Sequence, residues 1–356
     1  MHQHGGNLTL MAAKYGLDPE KIIDFSVNVN PLGPPAGVRT LVVNGLRYVT
    51  VYPEPYCKTL KEEYALQLDI SPDSLIFSNG AVELIYMVLQ ALRPRTVLIP
   101  GPTFREYEIA ARVFQANLKL FRLAREKGFL PRLSALIKAA SGVDMVFLCS
   151  PNNPTGNLLP QDILQPFLEF CAAEGIFVVV DESFLIFHKC WRELSAALKT
   201  EVNKNLLVLQ SLTKFFSIPG LRVGYGVAHP ETTAFLSRFQ PPWQVNSLAQ
   251  AAAAEGLKDE VYAHSTRSFV EQERRWFEEA LSAVNGVKVY PSEAPYLLLE
   301  LGKNLTASYV KDKLAQKGIL VRDCSNFAYL GENYIRVAVK GREKNQLLVS
   351  ELTGLL

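Results

Sequence analysis

Short apolar runs alternate with amphipathic stretches through the middle of the sequence, and this alternation limits the possible folds more than any other feature. The apolar runs are LIFSNG (75–80), TVLIPGP (96–102), NLKLFRL (117–123), MVFLCSPN (145–152), IFVVVDES (176–183), LLVLQSLTK (206–214) and RVGYGVA (222–228). Between several of them, stretches such as 81–92 and 161–175 carry apolar side chains at helical spacing. Strand and helix repeated in this way predict an α/β fold, in which a mainly parallel sheet has helices on both faces.

The sequence changes character after residue 257, which predicts a second and smaller unit. We expect a large domain over 41–257 and a small C-terminal α/β domain over 258–356. An N-terminal arm over 1–40 is expected to contribute to the small domain and to the active site. The predicted elements of the small domain are a long polar helix (259–284), a segment YPSEAPYLLLEL (290–301), a helix (307–318), strands ILVRDC (319–324) and NYIRVAV (333–339), and a last helix from Glu343.

Charge and cysteine content exclude several classes of function. The 37 Lys and Arg residues nearly cancel the 35 Asp and Glu residues, and no block of like charge occurs. This balance argues against a nucleic-acid or membrane-surface partner and favours a small molecule. No aliphatic run approaches the roughly 20 residues of a spanning helix, and the N-terminus lacks a secretion-signal pattern. The scattered cysteines form no C-x-x-C pair, so we expect reduced thiols in a cytoplasmic protein.

The sequence lacks the common nucleotide-binding motifs and carries another ordered set. Neither G-x-G-x-x-G after the first strand nor G-x-x-x-x-G-K-[ST] is present, which disfavours a dehydrogenase or a P-loop enzyme. Ligands of such sheets bind beyond the carboxyl ends of the strands, so motifs that follow strands are candidates for the site. The motifs in these positions are SNGAVE (78–83), SPNNPTG (150–156), DES (181–183), SLTK (211–214) and GLR (220–222).

Two of these motifs place an amine and a carboxylate where burial would change their chemistry. Lys214 ends a predicted strand and precedes an apolar FFSIPG turn, which would desolvate the amine, lower its pKa and make it nucleophilic; the alternative is a solvated surface lysine. Asp181 closes the FVVVD strand, where a carboxylate is costly unless it faces a cation. Its alternative role is a helix N-cap.

Other residues of the set supply donors for an anion. Gly80, Ala81 and Val82 lie where a strand turns into a helix, and free backbone N–H groups at a helix start bind anions. Two hydroxyls and a guanidinium follow later in the chain, from Ser211, Thr213 and Arg222. Together with Lys214 and Asp181, they provide an amine, a carboxylate and an anion site.

Taken in this order, the motifs resemble those of the fold-type-I pyridoxal-phosphate (PLP) enzymes, the aspartate aminotransferase superfamily, over essentially the whole chain. The resemblance implies PLP as cofactor, a seven-stranded sheet in the large domain, and a homodimer with shared sites. The resemblance implies that Lys214 binds the aldehyde, Asp181 the ring nitrogen and Asn153 the ring 3-oxygen. It implies that Tyr107 stacks on the ring face, with plain core packing as the alternative, and that Tyr52 reaches the phosphate bound by the neighbouring subunit. The implied phosphate site consists of Gly80, Ala81, Val82, Ser211, Thr213 and Arg222.

One residue departs from the pattern of many relatives. A tyrosine three residues after the aspartate commonly donates to the ring 3-oxygen, whereas this sequence has Phe184. We therefore expect Asn153 alone to hold that oxygen.

Two arginines near the C-terminus point to a substrate with anionic groups. Arg336 matches the arginine that the superfamily keeps for the substrate carboxylate, and Arg322 matches a second anion-binding arginine of the histidinol-phosphate aminotransferase branch. Surface ion pairing is the alternative for both. Within that branch, HGGN (4–7), DFSVNVNPLGPP (24–35) and Phe184 resemble the threonine-phosphate decarboxylase subgroup of cobalamin biosynthesis.

The subgroup resemblance implies that His4, Asn28, Arg322 and Arg336 bind the substrate phosphate or carboxylate. For His4 the alternative is a frayed terminal histidine; a metal pair of His2 and His4 is weaker still, and no metal site is expected.

The expected reaction is decarboxylation of L-threonine O-3-phosphate to (R)-1-amino-2-propanol O-2-phosphate. The alternatives are histidinol-phosphate aminotransferase or a related aminotransferase, and a non-catalytic protein with the same fold. Lys214 and Asp181 serve decarboxylation and transamination equally, so the residues alone leave this choice open.

Overall fold

The computed structural model describes residues 5–6, 8–302 and 305–356. Its strands are β1 (Ile23–Asp24), β2 (Leu75–Ser78), β3 (Thr96–Gly101), β4 (Asn117–Arg122), β5 (Met145–Cys149), β6 (Phe177–Asp181), β7 (Leu206–Ser211), β8 (Gly224–Ala228), β9 (Val287–Tyr290), β10 (Tyr296–Leu301), β11 (Ile319–Leu320), β12 (Arg322–Asp323) and β13 (Tyr334–Ala338). Its α-helices are α1 (Leu8–Tyr15), α2 (Ala36–Val43), α3 (Leu46–Val49), α4 (Lys58–Leu68), α5 (Ala81–Leu92), α6 (Glu106–Val113), α7 (Leu133–Ala140), α8 (Gln161–Ala173), α9 (Trp191–Leu194), α10 (Leu212–Phe215), α11 (Pro230–Ser237), α12 (Ser247–Leu257), α13 (Glu260–Ser282), α14 (Ala307–Gln316) and α15 (Arg342–Leu355). Short 3-10 helices lie at Pro19–Lys21, Pro55–Cys57, Pro72–Ser74, Arg125–Lys127, Leu185–Phe187 and Ala196–Glu201.

The larger sheet has seven strands among the described residues, in the order β2-β8-β7-β6-β5-β3-β4. Strand β8 runs antiparallel to β2 and β7, and the remaining pairs are parallel. The predicted α/β fold with a mainly parallel sheet is therefore confirmed. The continuous apolar sequence of the central strands reflects burial of both faces.

Alternate residues of one strand enter two cores on opposite faces of this sheet. On β6, Val178 and Val180 pack into one core, which also contains residues of α4, α8 and α12. Phe177 and Val179 pack into the other, which contains residues of α5 and α6. This alternation follows from the two-residue period of a strand, and it explains why every side chain of β6 before Asp181 is apolar.

A smaller antiparallel sheet, in the order β12-β13-β10-β9, forms the C-terminal part with its own core. The N-terminal strand β1 pairs in parallel with β11, so the beginning of the chain joins the C-terminal part. The domain limits at 40 and 257 stay predictions.

The single predicted strand over 319–324 is wrong. Ile319 and Leu320 pair with β1, whereas Arg322 and Asp323 pair with β13. Because the chain changes its pairing partner at Val321, the segment is split into two short strands.

The parallel strands bring several strand ends to one edge of the larger sheet. Asp181 ends β6, Ser211 ends β7, and Cys149 at the end of β5 lies opposite Asp181. Side chains distant in sequence thus converge beyond this edge, where α/β proteins bind ligands. Over the three described ranges, no helix is long and apolar enough to cross a membrane.

Candidate active site

Two adjoining cavities lie beyond the carboxyl ends of the central strands. The inner cavity, of about 160 Å³, is lined among others by Asp181, Ser211 and Lys214. The outer cavity, of about 530 Å³, is lined among others by Arg322 and Arg336. Both are lined by Val82, Phe104, Asn153, Phe184, Thr213, Lys214 and Arg222, so we describe them as one site with an inner and an outer part.

Lys214 lies in α10, one turn after the end of β7, where its side chain lines both parts of the site. Burial lowers the pKa of its amine below the usual value, although the nearby Asp181 carboxylate opposes this shift. The Nζ atom lies 4.6 Å from the centre of the Phe184 ring. An amine in this setting loses its proton more readily than a surface lysine and can act as a nucleophile or base.

Asp181 is buried and its carboxylate is held from two directions. Oδ2 accepts a hydrogen bond from the Tyr107 hydroxyl at 2.7 Å, and Oδ1 accepts one from the Ser183 backbone N–H at 2.9 Å. Two neutral donors orient the carboxylate without neutralising its charge. The group can therefore pair with a cation that enters the inner cavity.

The predicted stacking role of Tyr107 is wrong. Its side chain is fully buried, its ring stacks on Phe147 at 5.0 Å, and its hydroxyl is used by Asp181. Tyr107 lies in the first turn of α6, which turns its ring toward the core. Phe104, three residues earlier, is the aromatic residue of this segment that lines both cavities.

Residues predicted for an anion site lie where β2 turns into α5. Ala81 and Val82 begin the helix and line the inner cavity, where backbone N–H groups are free of helical partners. Gly80 precedes them with φ +82°, and a Cβ at this position would lie 2.4 Å from the Arg222 guanidinium. The positive φ therefore favours glycine, and a side chain here would also displace the Arg222 guanidinium from its position beside the helix start.

Two hydroxyls complete this anion site. The Ser211 and Thr213 hydroxyl oxygens lie 3.0 Å apart, and both residues line the inner cavity with Arg222. One guanidinium, two hydroxyls and a helix N-terminus together suit a phosphate group.

Asn153 and Phe184 lie between the inner and outer parts. The Asn153 Oδ1 atom accepts a hydrogen bond from Arg336 Nη1 at 2.5 Å, which directs the amide and leaves its NH₂ group as a donor. Phe184 lines both cavities and contacts Tyr296 edge-on, with ring centres 4.9 Å apart. Because Phe184 has no hydroxyl, Asn153 remains the candidate donor predicted for the 3-oxygen.

Arg322 and Arg336 occupy directly opposed positions on the neighbouring strands β12 and β13. Arg322 Nη2 donates to Asn326 Oδ1 at 2.9 Å, and Arg336 Nη2 donates to the Ser26 carbonyl at 2.8 Å. Burial lowers the pKa of both guanidinium groups; the positive charge of Arg322 lowers the pKa of Arg336 further, and that of Arg105 lowers the pKa of Arg322 further. The Nε atom of Arg336 is buried without a hydrogen-bond partner in the described part of the chain.

The remaining predicted residues fall into three situations. Asn28 lines the outer cavity, and its Oδ1 atom is buried without a partner among the described residues. Tyr52 is 81% exposed, packs against Trp243 and lines neither cavity of its own chain. His4 lies outside the described residues.

Sequence reasoning missed Phe104, Arg105 and Glu182. The first two follow β3 and line the outer cavity, so their position after a strand end was the available signal. Glu182 is buried and accepts hydrogen bonds from the Ser195 hydroxyl at 2.6 Å and the Gln210 side chain at 2.9 Å. Burial, which outweighs these bonds, raises the pKa of Glu182 to about 8.

The donor set of the inner part fits PLP. A buried lysine amine matches the aldehyde, and the oriented Asp181 carboxylate matches a protonated ring nitrogen. The anion site between the start of α5, at Gly80, and the Arg222 guanidinium matches the phosphate.

Comparisons with known proteins agree with this geometry. The family model for aminotransferases of class I and II matches residues 20–352. The threonine-phosphate decarboxylase of Salmonella typhimurium is 33% identical over 354 residues, covering 99% of this chain and 96% of that protein. The histidinol-phosphate aminotransferase of Methanocaldococcus jannaschii is 32% identical over 334 residues, covering 92% and 88%.

A solved structure extends the comparison to three dimensions. The crystal structure of L-threonine-O-3-phosphate decarboxylase from Porphyromonas gingivalis aligns with a TM-score of 0.83 and 30% sequence identity. The alignment covers 94% of this chain and 99% of that one. The chain therefore belongs to the aminotransferase class I and II family, whose members depend on PLP.

Proposed function

We propose that the protein decarboxylates L-threonine O-3-phosphate, giving CO₂ and (R)-1-amino-2-propanol O-2-phosphate for cobalamin biosynthesis. The observation that carries the proposal is the pair Arg322 and Arg336, which faces the same cavity as Lys214. The relatives from Salmonella typhimurium and Porphyromonas gingivalis, both named as threonine-phosphate decarboxylases, support it.

The guanidinium pair requires an anion for electrostatic reasons. The two side chains start from opposed positions on adjacent strands, and burial lowers the pKa of both. Two like charges in a partly desolvated wall are unfavourable unless an anion binds between them. A phosphate dianion matches two guanidinium groups in charge and in hydrogen-bond geometry.

Asp181 and Lys214 have separate roles in the proposed reaction. When bound, PLP withdraws electrons from the α-carbon of an attached amino acid, so that a bond at that carbon can break. Asp181 would pair with a positive charge at the ring nitrogen, and Lys214 Nζ would supply the proton to the carbon that loses CO₂. We propose that the arginine pair binds the phosphate and does not anchor the carboxylate, in contrast to the carboxylate role that the resemblance implies for Arg336, and that this directs the reaction to decarboxylation.

A histidinol-phosphate aminotransferase is the second candidate. The relative from Methanocaldococcus jannaschii carries this name, and the same guanidinium pair suits the phosphate of histidinol phosphate. That substrate has no carboxylate to lose, so the two candidates differ in their products.

One experiment separates the candidates. The purified holoenzyme is incubated with L-threonine O-3-phosphate without any 2-oxo acid, and released CO₂ and the amino alcohol phosphate are measured. A parallel reaction contains histidinol phosphate and 2-oxoglutarate, and glutamate is measured. We expect catalytic CO₂ release in the first reaction; glutamate formation without CO₂ release would replace the proposal by the second candidate.

We also propose a homodimer in which Tyr52 completes the site of the partner subunit. Large apolar side chains are exposed close to it in sequence, with Val43 78%, Leu46 76% and Val49 71% exposed. An exposed apolar region of this kind is typical of a protein interface. Tyr52 and Trp243 lie against each other within the same region.

A further inference from the structure

Arg105 is a third arginine of the outer cavity. It lies between Phe104, which covers both parts of the site, and the first residue of α6. The same cavity is lined by Arg322 and Arg336. Arg105 thus reaches the substrate space from the larger sheet, while the other two arginines reach it from the smaller sheet.

The charge of Arg105 faces other positive charge. Within the described ranges, no hydrogen bond or ion pair engages its guanidinium. Its charge contributes to lowering the pKa of Arg322. The neighbouring Glu106 carboxylate also lines the cavity, but it is buried and accepts a hydrogen bond from the Tyr86 hydroxyl at 3.1 Å.

We propose that Arg105 determines specificity by binding the substrate phosphate together with Arg322. This inference rests on the proposed phosphorylated substrate. The two guanidinium groups approach the same cavity from different elements, so a tetrahedral dianion can accept hydrogen bonds from both. A single-charged carboxylate offsets less of the repulsion among Arg105, Arg322 and Arg336 than a phosphate dianion does.

The position of Arg105 also suits a role in selecting a phosphorylated substrate. The side chain is only partly buried, so it can adjust when a ligand enters, whereas Arg336 is fixed by Asn153 and Ser26. Replacing Arg105 should therefore weaken phosphate binding without disturbing the folded core.

The test compares phosphorylated and unphosphorylated ligands. Holoenzyme carrying Arg105→Gln, Arg105→Lys or no substitution is titrated with O-phospho-L-threonine and with L-threonine, and binding is followed by the cofactor absorbance. Loss of a charged hydrogen-bonding partner should reduce the preference for the phosphorylated ligand by about 10- to 100-fold in Arg105→Gln. Arg105→Lys should keep part of the preference, because it keeps the charge but not the two-pronged geometry.

A matched control lies on α6, the helix that directly follows Arg105. Arg112, in the last turn of α6, is exposed and lines neither cavity, so Arg112→Gln should leave the preference unchanged. Circular dichroism of all three variants establishes that they are folded.

Two results would overturn the inference. One is an unchanged preference in Arg105→Gln; the other is an equal loss for both ligands, which would mean a structural role. Failure of the wild-type enzyme to release CO₂ would contradict the proposed reaction instead, because the preference for a phosphorylated ligand is measured by binding and does not depend on turnover.

Discussion

Removing the Tyr107 hydroxyl tests how the site orients the Asp181 carboxylate. Tyr107→Phe removes one oxygen atom and keeps the ring that stacks on Phe147. It deletes the 2.7 Å hydrogen bond to Asp181 Oδ2, while the bond from the Ser183 N–H to Oδ1 remains. The substitution therefore isolates one hydrogen bond to a buried charge.

The expected size of the effect follows from the burial of both partners. Tyr107 is fully buried and Asp181 is 5% exposed, so water cannot easily replace the lost donor. A hydrogen bond to a charged group contributes about 1.5–3 kcal/mol to stability. We expect the apoenzyme to lose this much free energy of unfolding. Turnover should fall at least several-fold, because the carboxylate that we propose to pair with the ring nitrogen loses one of its two orienting donors.

Chemical denaturation of the apoenzyme measures the stability, and steady-state kinetics of the holoenzyme measure the turnover. Tyr64→Phe is the matched control, because Tyr64 is also buried at 2% exposure but its hydroxyl has no hydrogen-bond partner among the described residues. This control should keep its stability or gain slightly. Equal effects of the two substitutions would refute a specific role of the Tyr107 hydroxyl.

Three further predictions concern the same region. Asp181→Ala should leave some PLP bound, as measured by absorbance, but reduce turnover by several orders of magnitude; near-normal turnover would contradict its role. Burial raises the pKa of Glu182 to about 8, so the folded state keeps a proton that the unfolded chain releases near pH 4. Stability should therefore decline as pH rises from about 4 to 8, and Glu182→Gln should flatten this decline in denaturation experiments at several pH values. Mixed Tyr52→Phe and Lys214→Ala subunits should regain activity relative to either variant alone; no recovery on mixing would mean that Tyr52 acts within its own subunit.

Sequence reasoning located the site residues that lie at or shortly after the ends of parallel strands. Asp181 directly follows the apolar run 177–180 and Lys214 lies shortly after the apolar run 206–209, and parallel pairing brings the ends of such strands together whatever the details of packing. Phe104 and Tyr107 could not be separated in this way. Both aromatics follow β3, and the start of α6 between them decides which ring enters the core and which faces the cavity.

Prediction from sequence was limited in the same way for Arg322 and Arg336 in the smaller sheet. The two strands that carry Arg322 and Arg336 were predicted, but the switch of pairing at Val321 was not, because it depends on β1 arriving from the other end of the chain. The local sequence pattern does not show which strand so short a segment pairs with.

The register of β12 against β13 fixes the separation at which Arg322 and Arg336 leave the smaller sheet. Directly opposed residues in an antiparallel pair have their Cβ atoms about 5 Å apart, a separation set by main-chain hydrogen bonds and not by the side chains. If both arginines bind the substrate, as we propose, a longer or shorter substrate cannot be accommodated by changing the separation of the two strands. It would require a side chain of different length, because a slip of one residue would turn one arginine to the opposite face of the sheet.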